Sequence, residues 1–272
     1  MYVREKIQHI KYRTEGIEGD IAIMGSGYIG LGTTFYLKQQ QPCLNIVIVE
    51  SETAGFGASG RNGGWLMGDL VGKTKYIASM PEPNRTEAYQ LISGIVEEVK
   101  QVVSQEGIDC DFHHGGSLYS AARYPEQLTF QKDYLNYLHQ SGLSHDDYRW
   151  LSASELAQKL VIRGGQGAID TPHCAAIHPV KLVLFLAITV ETRCVNLLYK
   201  SAAASVANKI IFTGKGSVKA SVIVPATEGF ADSLMSLKRY VLPLQSLVVA
   251  TEQLTEEQWG EIGLNNRETF SD

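Results

Sequence analysis

Short apolar runs alternate with amphipathic stretches along this chain, and the two periods can be told apart. Asp20-Ile21-Ala22-Ile23-Met24 is mostly apolar and of strand length. Residues 28–39 follow at helical spacing and predict a helix with Ile29, Thr33, Tyr36 and Leu37 inward. Leu44-Asn45-Ile46-Val47-Ile48-Val49 predicts a second, buried strand. Further on, Tyr89, Ile92, Ile95, Val96, Val99, Val102 and Val103 form a helical stripe over residues 85–106. A second stripe over residues 125–140 turns Leu128, Tyr134, Leu135 and Leu138 inward, and both stripes read as core. Ser152 with Glu155 predicts a capping box opening a third helix. Residues 179–192 read as a helix, and residues 241–251 as a strand. Strand, helix and strand in succession, followed by mixed elements, predict an α/β fold.

The polar punctuation between the first strand and helix is Gly25-Ser26-Gly27-Tyr28-Ile29-Gly30. In a strand-to-helix turn Gly25 serves the tight bend, Gly27 leaves room for a diphosphate, and Gly30 lets helix and strand approach closely. The helix N-terminus then offers unpaired N–H groups to an anion. Glu50 ends the second strand, twenty residues beyond Gly30, where a carboxylate accepts from ribose hydroxyls. The four features in register predict a dinucleotide site rather than an ordinary glycine turn, and the acid argues against a 2′-phosphate.

A second glycine-rich stretch, Gly55-Phe56-Gly57-Ala58-Ser59-Gly60-Arg61-Asn62-Gly63-Gly64, has a backbone suited to pressing N–H groups against a ligand. Residues 20–50 followed by Ala58-Ser59-Gly60-Arg61-Asn62-Gly63-Gly64 resemble the FAD-dependent amine and D-amino-acid oxidase family, in particular its gamma-glutamylputrescine oxidase-like branch. The resemblance runs from about residue 20 to the end. It continues through Asp111-Phe112 and Gly116-Ser117-Leu118-Tyr119, then Ala168 to Pro172, Ile177-His178-Pro179 and Lys181-Leu182. Ile211-Phe212-Thr213-Gly214, Val218-Lys219-Ala220 and Val222-Ile223-Val224 resemble the hairpin and strand before an Ala-Thr turn beside the flavin, here Ala226-Thr227. The resemblance implies that Ser59, Arg61, Asn62, Gly63 and Gly64 run along the ribityl chain and diphosphate of FAD. It also implies that the Val206 backbone meets the adenine, and that Ala226 and Thr227 lie beside the flavin.

The implied architecture is a Rossmann-like, discontinuous FAD-binding domain with an inserted α+β substrate domain, incomplete at the C-terminus. The expected division is a lead-in over residues 1–19, FAD domain over 20–76 and 171–238, an inserted segment over 77–170, and the start of the remaining substrate sheet over 239–272. Substrate is expected where the two domains meet. The implied reaction is oxidation of the C–N bond of an amine or amino acid, a gamma-glutamyl polyamine among the candidates, by hydride transfer to flavin N5. The imine then hydrolyses to a carbonyl compound, and oxygen as acceptor gives peroxide.

Departures from the family pattern qualify this. Related chains continue past Phe270-Ser271-Asp272, so a C-terminal truncation is expected, with the 241–251 strand lacking partners and no catalytic residue assignable. Pro225 is expected to break a central strand, and Cys194 stands where related chains have glycine. A non-catalytic remnant that holds FAD weakly or not at all is therefore a second reading, and a NAD-dependent dehydrogenase a third.

Composition adds exclusions. A net charge of −5 gives no reason to expect nucleic acid or an acidic membrane. The longest apolar stretch, residues 182–190, is too short to span a bilayer, and cytoplasm is expected. Cys43, Cys110, Cys174 and Cys194 lack paired spacing, so reduced thiols are expected. Cys110, His113 and His114, or His173, Cys174 and His178, lack the ligand repeat of a zinc site, so no metal is expected. His113 and His114 read as hairpin residues.

Overall fold

A computed structural model of the chain describes residues 16–234, 239, 242 and 244–272. Its strands in chain order are β1 (Ile17–Met24), β2 (Ile46–Val49), β3 (Trp65–Met67), β4 (Ser117–Ser120), β5 (Arg149–Ser152) and β6 (Gly167–Thr171). They continue with β7 (Cys174–Ala176), β8 (Asn196–Leu198), β9 (Ala203–Ala207), β10 (Ile210–Thr213), β11 (Gly216–Pro225) and β12 (Thr269–Ser271). The described residues divide into two compact units, one built from those within 16–63, 108–110 and 179–248, the other from 64–107, 111–178 and 249–272.

In the first unit a six-stranded sheet runs in the order β8-β2-β1-β11-β10-β9. β8, β2, β1 and β11 are mutually parallel, and β10 and β9 fold back antiparallel. All four residues of β2, Ile46-Val47-Ile48-Val49, are buried, as a β-branched run in a parallel sheet covered on both faces should be. Ala22, Met24, Val47, Val49, Ile211, Val218 and Ala220 form one core cluster across these strands.

The first helix, Tyr28–Gln40, forms as expected but shows another face. Gly30, Leu31, Thr34, Phe35 and Lys38 are buried, whereas Ile29 is 53% and Tyr36 40% exposed. Apolar residues occupy several sides of this helix, so period alone leaves its rotation open. The turn decides it: a Cβ on Gly30 would stand 2.0 Å from the Gly25 carbonyl oxygen, so only glycine can face the strand end there. Lys38 is buried because its ammonium donates to the Pro42 carbonyl and, at 3.0 Å, to that of Leu44.

The second unit holds a four-stranded sheet in the order β12-β4-β6-β5 and a β3-β7 pair. Ile77, Tyr89, Leu135, Leu138, Leu143, Tyr148 and Ile169 make one core cluster. Helix Glu126–Gln140 buries Leu135 and Leu138 as its stripe requires. Helix Ala153–Lys159 opens with Ser152 and Glu155 satisfying each other's backbone N–H groups.

Four expectations are corrected here. The single helix over 85–106 is two, Glu82–Ser93 and Ile95–Gln105, divided at Gly94; glycine is a poor helix former. The strand expected over 241–251 is not formed in the described part, residues 244–251; positions 241 and 243 lie outside the described residues. His113 sits in an isolated bridge with Ala176, and the ring of His114 contacts the Pro172 carbonyl at 2.7 Å, so neither belongs to a hairpin. Pro225 is the last residue of β11, opposite Met24, and ends the strand instead of interrupting it. Among the described residues no three of His, Cys, Asp and Glu come together as a metal site would need, the four cysteines form no disulfide, and no helix is long and apolar enough to cross a membrane.

Candidate functional site

β1 ends at Met24, and the chain turns through Gly25 with φ +104°, a conformation only glycine adopts without strain. The Gly25 N–H donates to the Val49 carbonyl at 2.9 Å, tying the turn to the end of β2. A Cβ on Gly25 would lie 2.5 Å from the Ala226 carbonyl, so the turn is pressed against the chain leaving β11. Gly27 caps the helix without a side chain of its own. In its place the Ser59 hydroxyl accepts from the Tyr28 N–H at 3.0 Å, and a Cβ on Gly27 would come within 2.8 Å of that oxygen.

Ser59 is brought there by its loop. The Gly55 N–H donates to the Ser26 carbonyl at 3.1 Å, and residues Ala58–Gly60 form one 3₁₀ turn. Arg61 braces that turn: its Nε donates to the Phe56 carbonyl at 2.6 Å and its guanidinium lies 4.7 Å from the centre of the Phe56 ring. The Asn62 amide donates to the Ala58 and Ser59 carbonyls at 3.2 and 3.0 Å. The Tyr28 hydroxyl donates to the Pro179 carbonyl at 2.8 Å. Burial, and then the neighbouring Cys110, push its phenol above the ordinary range against the opposing hydrogen bond from Asn62.

Glu50 stands at the end of β2, its N–H given to the Leu198 carbonyl at 2.9 Å and its carbonyl taken by the Ser201 N–H at 2.7 Å. One carboxylate oxygen, Oε2, accepts from both the N–H and the hydroxyl of Ser26, each at 2.8 Å. The other, Oε1, accepts from the Glu52 N–H at 2.9 Å and the Ser51 hydroxyl at 3.2 Å.

These elements enclose a cavity of about 210 Å³ whose wall includes Gly25, Gly27, Glu50, Ser59, Ala226 and Thr227. Six of the residues singled out in the sequence thus meet around one space. Gly30 lies behind the wall, at the contact of helix and turn. Arg61 and Asn62 brace the loop, Gly63 has open space around its α-carbon, and the Gly64 carbonyl accepts from the Ile177 N–H at 2.9 Å. Val206 packs against the core cluster; the nearby wall is made by Ala202 and Ala203. Sequence reasoning missed Ser51, Phe56 and Phe230, which also line the cavity. Phe230 carries a legible signal, three residues beyond Thr227, and its ring stands 3.2 Å from where a Gly57 Cβ would be.

The donor set fits an adenosine diphosphate. A helix N-terminus and a serine hydroxyl, with no Cβ on Gly27, make a cradle for phosphate oxygens that any larger residue would fill. A carboxylate on the same wall suits ribose hydroxyls.

Residues 20–271 match the family model DAO, described as FAD dependent oxidoreductase. Gamma-glutamylputrescine oxidoreductase of Escherichia coli is 23% identical over 252 residues, covering 89% of this chain and 57% of the relative. A probable oxidoreductase, OrdL, of Haemophilus influenzae is 22% identical and covers 87% and 56% respectively. The chain therefore spans somewhat over half the length of these relatives. Among solved structures, glycine oxidase from Geobacillus kaustophilus superposes with a TM-score of 0.65 at 21% identity, covering 81% of this chain and 58% of that one. L-amino acid deaminase from Proteus vulgaris, with its specific insertion deleted, gives 0.67 at 18% identity, covering 86% and 59%.

Proposed function

The chain belongs to the DAO family of FAD-dependent oxidoreductases, and from that premise we propose that it binds FAD and oxidises the carbon–nitrogen bond of an amine or amino acid. The observation that carries the cofactor is the single cavity shared by Gly25, Gly27, Glu50, Ser59, Ala226 and Thr227. Gly27 and the helix start would hold the diphosphate, Glu50 the adenosine ribose, and the Ser59 loop, braced by Arg61 and Asn62, would run along the diphosphate. FAD supplies the hydride acceptor. The protein's part is to position the amine and exclude water. Residues 20–76 and 171–238 act as cofactor domain, and residues 77–170 and 239–272 as substrate domain. Oxygen is the acceptor. A gamma-glutamyl polyamine is one candidate substrate, supported by the Escherichia coli relative.

A second reading, FAD held weakly or not at all without turnover, is favoured by the apolar residues Leu244, Leu247 and Val249, which are 85%, 92% and 91% exposed. Purified chain incubated with FAD decides between them by its flavin absorbance after desalting and by peroxide release across an amine panel. Retention with peroxide supports oxidation. A colourless preparation that FAD does not reconstitute supports the second reading. Gly27→Val abolishes retention, because the branched side chain meets the Ser59 hydroxyl and fills the phosphate cradle; equal retention by the variant would refute the site.

A further inference from the structure

The Glu50 carboxylate is saturated with donors in an uneven way. A carboxylate offers about four acceptor positions, and here all are used: two by Ser26 on Oε2, and one each by Glu52 and Ser51 on Oε1. A ribose hydroxyl can bind only by displacing one donor. Ser26 is fully buried and lies behind the cavity wall. Both of its bonds are short, at 2.8 Å, and charge-assisted. The Ser51 hydroxyl makes the longest of the four bonds, at 3.2 Å, and of the residues giving these donors only Ser51 lines the cavity.

We propose that Ser26 is a positioning residue for nucleotide recognition: it pins Oε2 of Glu50 with its N–H and its hydroxyl, so that Oε1 faces the cavity and accepts an adenosine ribose hydroxyl in exchange for the Ser51 hydroxyl. The proposal rests on the dinucleotide reading of the site and names a specificity determinant within it. The terminal torsion of a glutamate is broad and poorly held by intrinsic preference. Without the Ser26 hydroxyl, Oε2 keeps only the Ser26 N–H, the carboxylate is held less firmly, and the cost of fixing it falls on the ligand. A residue that served packing alone at this buried position would need no hydroxyl, since a buried hydroxyl is costly unless it is bonded.

The test is calorimetric binding of ADP, 2′-deoxy-ADP and 3′-deoxy-ADP to the full chain. The native protein favours ADP over the weaker-binding deoxy analogue by about tenfold, the effect of one hydrogen bond to a charged group. Ser26→Ala reduces that preference to about twofold or less, while its affinity for that analogue stays within about twofold of native. In Ser51→Ala the ribose hydroxyl displaces no donor and the preference is at least as large as in the native protein, and in a Glu50→Gln background Ser26→Ala has no further effect on it. Equal weakening of all three ligands by Ser26→Ala would mark a purely structural role and overturn the proposal, as would an undiminished preference for ADP. Loss of the preference in Ser51→Ala would overturn the exchange. A native protein that binds none of the three removes the dinucleotide site and the proposal together, whereas a preference preserved in Ser26→Ala removes the proposal alone.

Discussion

At the scale of single residues, backbone conformation separates positions that tolerate a side chain from those that do not. Cys194 follows helix Pro179–Thr192 with φ +61°, a left-handed conformation that costs a residue with a Cβ roughly 1–2 kcal/mol. It is exposed, and glycine is the residue that commonly ends helices this way. Cys194→Gly therefore stabilises the protein by about 1 kcal/mol after the entropy of a freer unfolded chain is offset, read as a higher urea midpoint with an unchanged slope. Gly30 is the opposite case. Gly30→Ala drives a methyl into the Gly25 carbonyl, and a loss of several kcal/mol is expected, on the order of other overpacked sites. Unchanged stability of that variant would mean the helix does not pack on the turn as described.

Elements are held by a few identifiable groups. The capping box at Ser152 secures a helix of only seven residues, which has little stability of its own; Ser152→Ala costs about 1 kcal/mol in urea unfolding. Asp147 secures the approach to β5. Burial pushes its carboxyl up, but the hydrogen bonds from the Ser144 hydroxyl and N–H, joined by His173 at 2.8 Å, outweigh this and hold it below the usual aspartate range. A carboxyl with a depressed folded value contributes stability above its unfolded pKa of about 3.9, and that stability is lost as the pH falls through the folded value. Asp147→Asn should flatten the acid limb of the stability profile between about pH 5 and pH 2, while an unaltered limb would show that the Ser144 and His173 bonds carry no linkage. Elements also show where periodicity runs out. The type and extent of helices Glu126–Gln140 and Pro179–Thr192 were legible because each has an uninterrupted helical pattern. The buried face of helix Tyr28–Gln40 was not, because a contact made by Gly30, a residue without a side chain, sets its rotation.

For the whole molecule, cofactor binding and folding are linked. A ligand that binds only the folded state stabilises it by about 2.7 kcal/mol at a hundredfold excess over its Kd. FAD should thus raise the melting temperature of the native chain and leave that of Gly27→Val unmoved; a shift common to both would place any binding elsewhere. The reading of the site has a matching division. Gly25, Gly27 and Glu50 could be named from spacing because one strand, one helix and one further strand bring them together within thirty residues, through local rules of turn and helix geometry. Ser59, Ala226 and Thr227 were named only through family resemblance, and Ser26 and Ser51 received no role.

The amino-acid sequence alone determined the parallel α/β core, the glycine turn and the acid after β2, because local propensity and burial pattern act over a few residues at a time. Tertiary structure decided which face of the first helix is buried, that Ala202 and Ala203 join the cavity wall, and which four donors hold Glu50. Those outcomes depend on how elements pack once formed, which hydrophobic period does not encode, and the pairing of β1 with β11 that brings the Ala226 turn to the site is written in no single segment.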